Sequence, residues 1–120
     1  MDDQLATFFS KKGPITTIGV VGMGYVGIPS AALFADVSQV RQVYGFQRAS
    51  RSSGYKIALL NRGENPLVGE EPGLSELLQK VVSAGIFTCT SDFTSIESCD
   101  AVTIAIQTPF LNPADLEPDF

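Results

Sequence analysis

Residues 17–29 read Thr17-Ile18-Gly19-Val20-Val21-Gly22-Met23-Gly24-Tyr25-Val26-Gly27-Ile28-Pro29. Thr17 to Val21 is a short apolar run, rich in β-branched residues and closed by a glycine, the pattern of a buried strand. From Tyr25 the period lengthens. Val26, Ser30, Leu33, Phe34 and Val37 recur at helical spacing, while Gly27, Ala31, Ala32 and Ala35 keep the helix thin enough to lie close against a sheet. Pro29 falls early in that helix, where its missing N–H does least harm. Between strand and helix stands Gly22-x-Gly24-x-x-Gly27. Gly22 permits the tight turn, and Gly24 has no Cβ to block the approach of a pyrophosphate to the backbone. Gly27 lets the helix pack on the strand, and the helix N-terminus offers N–H groups to phosphates. A plain strand-to-helix turn with glycines kept for packing is the alternative. The position of the motif between a strand and a helix favours dinucleotide binding.

Outward from this unit, residues 1–14 carry no sustained period and end in Lys11-Lys12-Gly13-Pro14, so they read as a tail before a domain over 15–120. Residues 42–46 form the second predicted strand. Ser52 or Ser53 offers a cap for a helix through about Asn61, stopped at Gly63. A loop follows from Glu64 to Gly73. Leu74, Leu77, Leu78, Val81 and Val82 then mark the clearest helix, with Glu76 and Lys80 spaced to pair on its polar side and Gly85 at its end. Residues 86–89 are the third strand, 93–98 a short helix at best, and 101–106 the fourth strand. The fourth is apolar on both alternating faces, which predicts helices covering it on each side. Alternating strands and helices predict an α/β fold of Rossmann type, a doubly wound parallel sheet in three α/β/α layers. Beyond Pro109 the sequence reads as a loop without a closing element, so the domain is expected to be truncated.

The 120 residues are 44% hydrophobic and 18% charged, the balance of a chain that buries a core. Eight basic side chains against 13 acidic ones give a net charge of −5, which speaks against nucleic acid or an anionic membrane as partner. There is no histidine, which removes imidazole catalysis and His-based zinc sites, and no metal site is expected. Cys89 and Cys99 are read as free thiols of a reducing compartment. No targeting segment or membrane span is recognisable, and a soluble, cytoplasmic chain is expected.

An acidic residue that would hold the adenosine ribose is expected near position 47, but residues 47 and 48 are Gln47 and Arg48. No carboxylate lies between Asp36 and Glu64, whereas Arg41, Arg48, Arg51, Lys56 and Arg62 do. Arg41, Lys56 and Arg62 read as a solvated basic face; Gln47 and Arg48, at the strand end beside the glycine loop, read as cofactor contacts. Arg48 and Arg51, with Ser50, Ser52 and Ser53, could also hold a 2′-phosphate. Thr108, after the fourth strand, faces the expected crevice, with a turn-satisfying hydroxyl as the alternative. Thr90-Ser91-Asp92, after the third, is a similar position, with capping of the short helix as its alternative. Glu70 and Glu71 read as solvated loop, Cys89 as core, and Cys99 has no base beside it.

Taken together, Gly22 to Pro29, Asn61-Arg62-Gly63-Glu64, Glu71-Pro72-Gly73-Leu74, Thr90-Ser91-Asp92, Gln107-Thr108-Pro109-Phe110 and Glu117-Pro118-Asp119 resemble the N-terminal domain of the UDP-glucose/GDP-mannose dehydrogenase family over about residues 17–119. The Thr-Pro-Phe and Glu-Pro-Asp pieces are most similar to its branch acting on UDP-N-acetyl-hexosamines. The resemblance implies oxidation of a sugar C6 alcohol to a carboxylate with two NAD molecules, in a homo-oligomeric parent. It implies a cysteine nucleophile with lysine, asparagine and aspartate from downstream parts, so no catalytic residue is assigned here and the 120 residues alone are expected to be inactive. It assigns cofactor contact to the glycine loop with Tyr25 and Val26, to position 47, and to Thr108 beside the nicotinamide. Gln47 departs from the family's usual Asp. NAD is the expected cofactor and NADP stays open. Another hydroxyl dehydrogenase, of 6-phosphogluconate or hydroxyacyl type, and a non-enzymatic dinucleotide sensor are the other readings.

Overall fold

A computed structural model describes residues 13–51, 54–67 and 72–106. Strand β1 (Thr17–Val21) leads through the glycine loop into helix α1 (Gly27–Ala35). Strand β2 (Gln42–Phe46), helix α2 (Tyr55–Asn61), helix α3 (Leu74–Ser83) and strand β3 (Phe87–Thr90) follow. A 3-10 turn over Phe93–Ser98 then leads to β4 (Ala101–Ile104). The four strands form one parallel sheet in the order β3-β2-β1-β4. This is the predicted Rossmann-like α/β arrangement, and it sets the end of β1 beside the ends of β2 and β4.

The sheet has two unlike faces. Val20, Val43, Phe87 and Cys89 share one buried cluster with Ile28, Ala31, Ala32 and Ala35 of α1, Leu60 of α2, and Leu74, Leu78 and Val81 of α3. Alternation along β2 sends Tyr44 and Phe46 to the other face. There the Phe46 ring lies 5.4 Å from that of Phe93 in the 3-10 turn.

The small face of α1 meets the sheet as expected, and two other expectations are corrected. Val26, Leu33 and Val37 are exposed, while Gly27, Ile28 and three alanines meet the sheet. Close approach of backbone to backbone selected small side chains over large ones. Lys80 does not serve Glu76; its Nζ lies 2.7 Å from Asp36 Oδ1, just past α1, and so ties α3 to α1. The fourth strand ends at Ile104 and is not covered on both faces, for Val102, Thr103 and Ile104 are exposed. Among the described residues it pairs with β1 on one side only and stands at the edge of the sheet.

Other details follow the sequence closely. Gly63 and Gly85 take positive φ, at 77° and 75°, where α2 and α3 stop. Gly54 occupies the N-cap of α2, without a side-chain cap, and the proposed caps Ser52 and Ser53 lie outside the described residues. Asp100, to which the sequence assigned no role, accepts at Oδ2 from the N–H groups of Thr16 and Thr17, each at 3.0 Å. It thereby fixes the start of β1 against the start of β4.

Candidate functional site

The glycine loop is built by close contacts. Gly22 has φ 101°, its N–H donates to the Phe46 carbonyl at 2.9 Å, and a Cβ there would stand 2.8 Å from the Ala105 carbonyl oxygen. A Cβ on Gly27 would fall on the carbonyl oxygen of Gly22. These two glycines let three chain segments meet. Gly24 differs, because a Cβ there would meet nothing within 4 Å. The open side of the loop is therefore at Gly24, as a pyrophosphate cradle requires. Helix α1 begins there with no acidic residue in its first turn and no side-chain bond from its N-cap residue, Val26. Backbone N–H groups of a first turn left without side-chain caps suit an anion.

Between the glycines, Met23 points inward and is 1% exposed. Gly45 makes room for it, since a Cβ on Gly45 would stand 2.6 Å from the Met23 sulfur. Its backbone is held at both polar atoms: the N–H donates to Gln47 Oε1 at 3.3 Å, and the carbonyl accepts from Lys56 Nζ at 3.0 Å. Lys56 is thus not part of a solvated face as its sequence context suggested. It sits in the first turn of α2, and helices that follow a parallel strand start at the strands' carboxyl edge, where the glycine loop also lies. That topological cue was available in the sequence. Arg41 is exposed as expected. Exposed Arg62 pairs locally with Glu64 at 3.0 Å.

Tyr25 and Val26 stand exposed at the mouth of the loop. Gln47 is buried, its Nε2 donating to the Arg48 carbonyl at 3.4 Å and its N–H to the Thr90 carbonyl at 3.0 Å. Arg48, next to it, is exposed. Thr90 is half-buried and its Oγ1 accepts from the Asp92 N–H at 3.0 Å; Asp92 caps the 3-10 turn through Thr94, the capping that the Thr90-Ser91-Asp92 segment offered. The Thr94 bonds hold the Asp92 carboxyl below its ordinary range. Thr108, Glu70 and Glu71 lie outside the described residues.

Neither thiol is prepared as a nucleophile. Cys89 is buried in β3, and burial pushes its thiol up to about 12. Burial, with Asp100 nearby, also raises Cys99. A thiol held protonated is a poor nucleophile. Among the described residues, no group of three His, Cys, Asp or Glu side chains could hold a metal ion. No described helix is long and apolar enough to cross a membrane.

A parallel sheet whose first strand turns through three glycines into a helix, with open space at the middle glycine, defines a dinucleotide-binding domain. Residues 16–120 match the family described as UDP-glucose/GDP-mannose dehydrogenase family, NAD binding domain. The chain belongs to that family, and NAD is its cofactor. It is 38% identical over 104 residues to UDP-N-acetyl-D-mannosamine dehydrogenase of Salmonella typhimurium, matching 87% of this chain and 22% of the relative. GDP-mannose 6-dehydrogenase of Pseudomonas syringae pv. syringae is also 38% identical over 104 residues, with 86% and 22% covered. Among solved structures, NDP-N-acetyl-D-galactosaminuronic acid dehydrogenase from Methanosarcina mazei Go1 is 63% identical with a TM-score of 0.88, covering all of this chain and 25% of that one. A GDP-mannose dehydrogenase ternary complex from Pseudomonas aeruginosa is 34% identical with a TM-score of 0.67, covering 83% and 21%. The chain thus spans between a fifth and a quarter of the length of these relatives.

Proposed function

We propose that this chain is the cofactor-binding part of a nucleotide-sugar 6-dehydrogenase that oxidises the C6 alcohol of a UDP-N-acetyl-hexosamine to the uronate. The observation that carries the reading is the loop from Gly22 to Gly27, with its unfilled space at Gly24 and its backbone pinned at Met23. When bound there, NAD supplies the hydride acceptor, two molecules serving the two oxidation steps. The chain's own residues bind and orient. The first turn of α1 receives the pyrophosphate, and Tyr25 and Val26 border it. Arg48 and Thr90 are assigned to the adenosine side, and the family resemblance assigns Thr108 to the nicotinamide. No described residue is offered as catalytic, in keeping with two protonated thiols and a sequence without histidine. The catalytic groups are assigned to the parts of the relatives that this chain does not match, and a homo-oligomeric, cytoplasmic parent is part of the proposal.

The 63% identity to a protein named for an N-acetyl-hexosaminuronate supports an N-acetylated sugar. The equal 38% identities make GDP-mannose the control substrate. The test is NADH formation by the parent enzyme with UDP-N-acetylmannosamine, UDP-N-acetylgalactosamine and GDP-mannose. Two NADH per UDP-N-acetyl-hexosamine are expected, and none from the 120 residues alone. Turnover of GDP-mannose only would reject the substrate class, and turnover by the isolated 120 residues would reject the placement of the catalytic groups.

A further inference from the structure

The two atoms that hold Met23 also bear on which dinucleotide the loop admits. In dinucleotide-binding folds a carboxylate at the end of the second strand accepts hydrogen bonds from the adenosine ribose hydroxyls and repels a 2′-phosphate. Residue 47 does neither. Gln47 is neutral, 7% exposed, and turned beneath the glycine loop, where its oxygen accepts from the Met23 N–H and its amide nitrogen donates to the Arg48 carbonyl. The oxygen that could read a ribose hydroxyl also braces the loop, and the side chain that carries it is buried.

The stretch from the second strand through α2 supplies no substitute carboxylate. None occurs between Asp36 and Glu64, which takes in the whole stretch from the end of α1 through α2. Asp92, just past β3, spends Oδ1 on the Thr94 N–H and hydroxyl, at 3.1 and 2.6 Å. Positive charge is present instead. Lys56 Nζ stands at the loop itself, 3.0 Å from the Met23 carbonyl, and an ammonium has three donors of which that carbonyl takes one. Arg48 adds a guanidinium beside Gln47, a group suited to phosphate.

We propose that Gln47 is a positioning residue for the glycine loop, and that the adenosine-ribose end, without an anionic reader and edged by Lys56 and Arg48, admits NADP alongside NAD. The inference rests on the dinucleotide reading of the site, and the two are tested separately. NADH and NADPH are titrated against the intact protein by their fluorescence. Dissociation constants within about tenfold of each other are expected, since no repulsion separates them. Gln47→Glu keeps an acceptor for the Met23 N–H, gives up the donor to the Arg48 carbonyl, and adds a charge. It should weaken NADPH by about tenfold or more beyond whatever NADH loses, the worth of a charged contact, so that the ratio of the two dissociation constants moves. Gln47→Ala removes the brace and should weaken both together, keeping their ratio; this separates positioning from ribose reading. NADPH binding about a hundredfold weaker than NADH in the unmodified protein would overturn the proposal, as would equal losses in Gln47→Glu. Binding of neither dinucleotide would overturn the site reading as well.

Discussion

A methyl group placed on Gly24 and one placed on Gly27 meet opposite surroundings. At Gly24 it enters open space, and the backbone there is not in the left-handed region. At Gly27 it lands on the Gly22 carbonyl oxygen, and the neighbour is backbone that cannot rotate away. Gly24→Ala should therefore leave stability unchanged or raise it by up to about 1 kcal/mol, through the stiffer unfolded chain. Gly27→Ala should cost about 1–3 kcal/mol or more, because the helix must move off the strand. NAD binding should fall in Gly24→Ala although the fold is intact. Thermal melts beside calorimetric NAD titration check this, and an unchanged affinity would make the glycine loop a packing device only. The motif's spacing made these glycines legible in the sequence. The inward turn of Gln47 was not, because it depends on a bond to a backbone group distant in the chain; for Lys56, topology gave the edge of the sheet but not the bond to the Met23 carbonyl.

Elements are joined here by two kinds of polar link, and their settings predict unequal worth. Asn61, the last residue of α2, completes the outer edge of β3: its Nδ2 donates to the Cys89 carbonyl at 2.8 Å, and its Oδ1 accepts from the Cys89 N–H at 2.7 Å. Both backbone groups would be left without that partner in Asn61→Ala, in a part-buried setting. The expected cost is about 1–3 kcal/mol. Lys80 and Asp36 also join two helices, but their side chains are 68% and 41% exposed. Lys80→Met should change stability by no more than about 1 kcal/mol, with less effect in high salt. Urea midpoints of the two variants decide the matter, and a larger loss from Lys80→Met would refute the ranking. The elements themselves were legible because α3 carries a full helical stripe and its stops are glycines. The sheet-facing side of α1 was legible in Gly27, Ala31, Ala32 and Ala35, while the helical spacing of Val26, Leu33 and Val37 did not show that these three stay exposed.

Over the whole molecule, the two edges of the sheet are treated differently. The β3 edge is occupied by Asn61. The β4 edge has, among the described residues, no strand or side chain bonded to its outer side. Its faces are also uncovered, with Val102, Ile104 and Ile106 at 41%, 74% and 48% exposure along one alternating line. The apolar content of 101–106 correctly marked a parallel strand, yet it implied a covered one, because sequence records how a strand is suited to burial and not what lies on it. An open edge beside an apolar line is a template for pairing with another chain. The 120-residue chain should accordingly associate with itself as concentration rises. Ile104→Lys should shift it back toward monomer, since a charge on that line resists burial, and should cost little stability because the side chain is already exposed. Sedimentation equilibrium over a wide concentration range gives the mass, and a urea titration of the same variant gives the stability. A chain that stays monomeric throughout, or an Ile104→Lys variant that associates as strongly as the unmodified chain, would show that the β4 edge is not the contact.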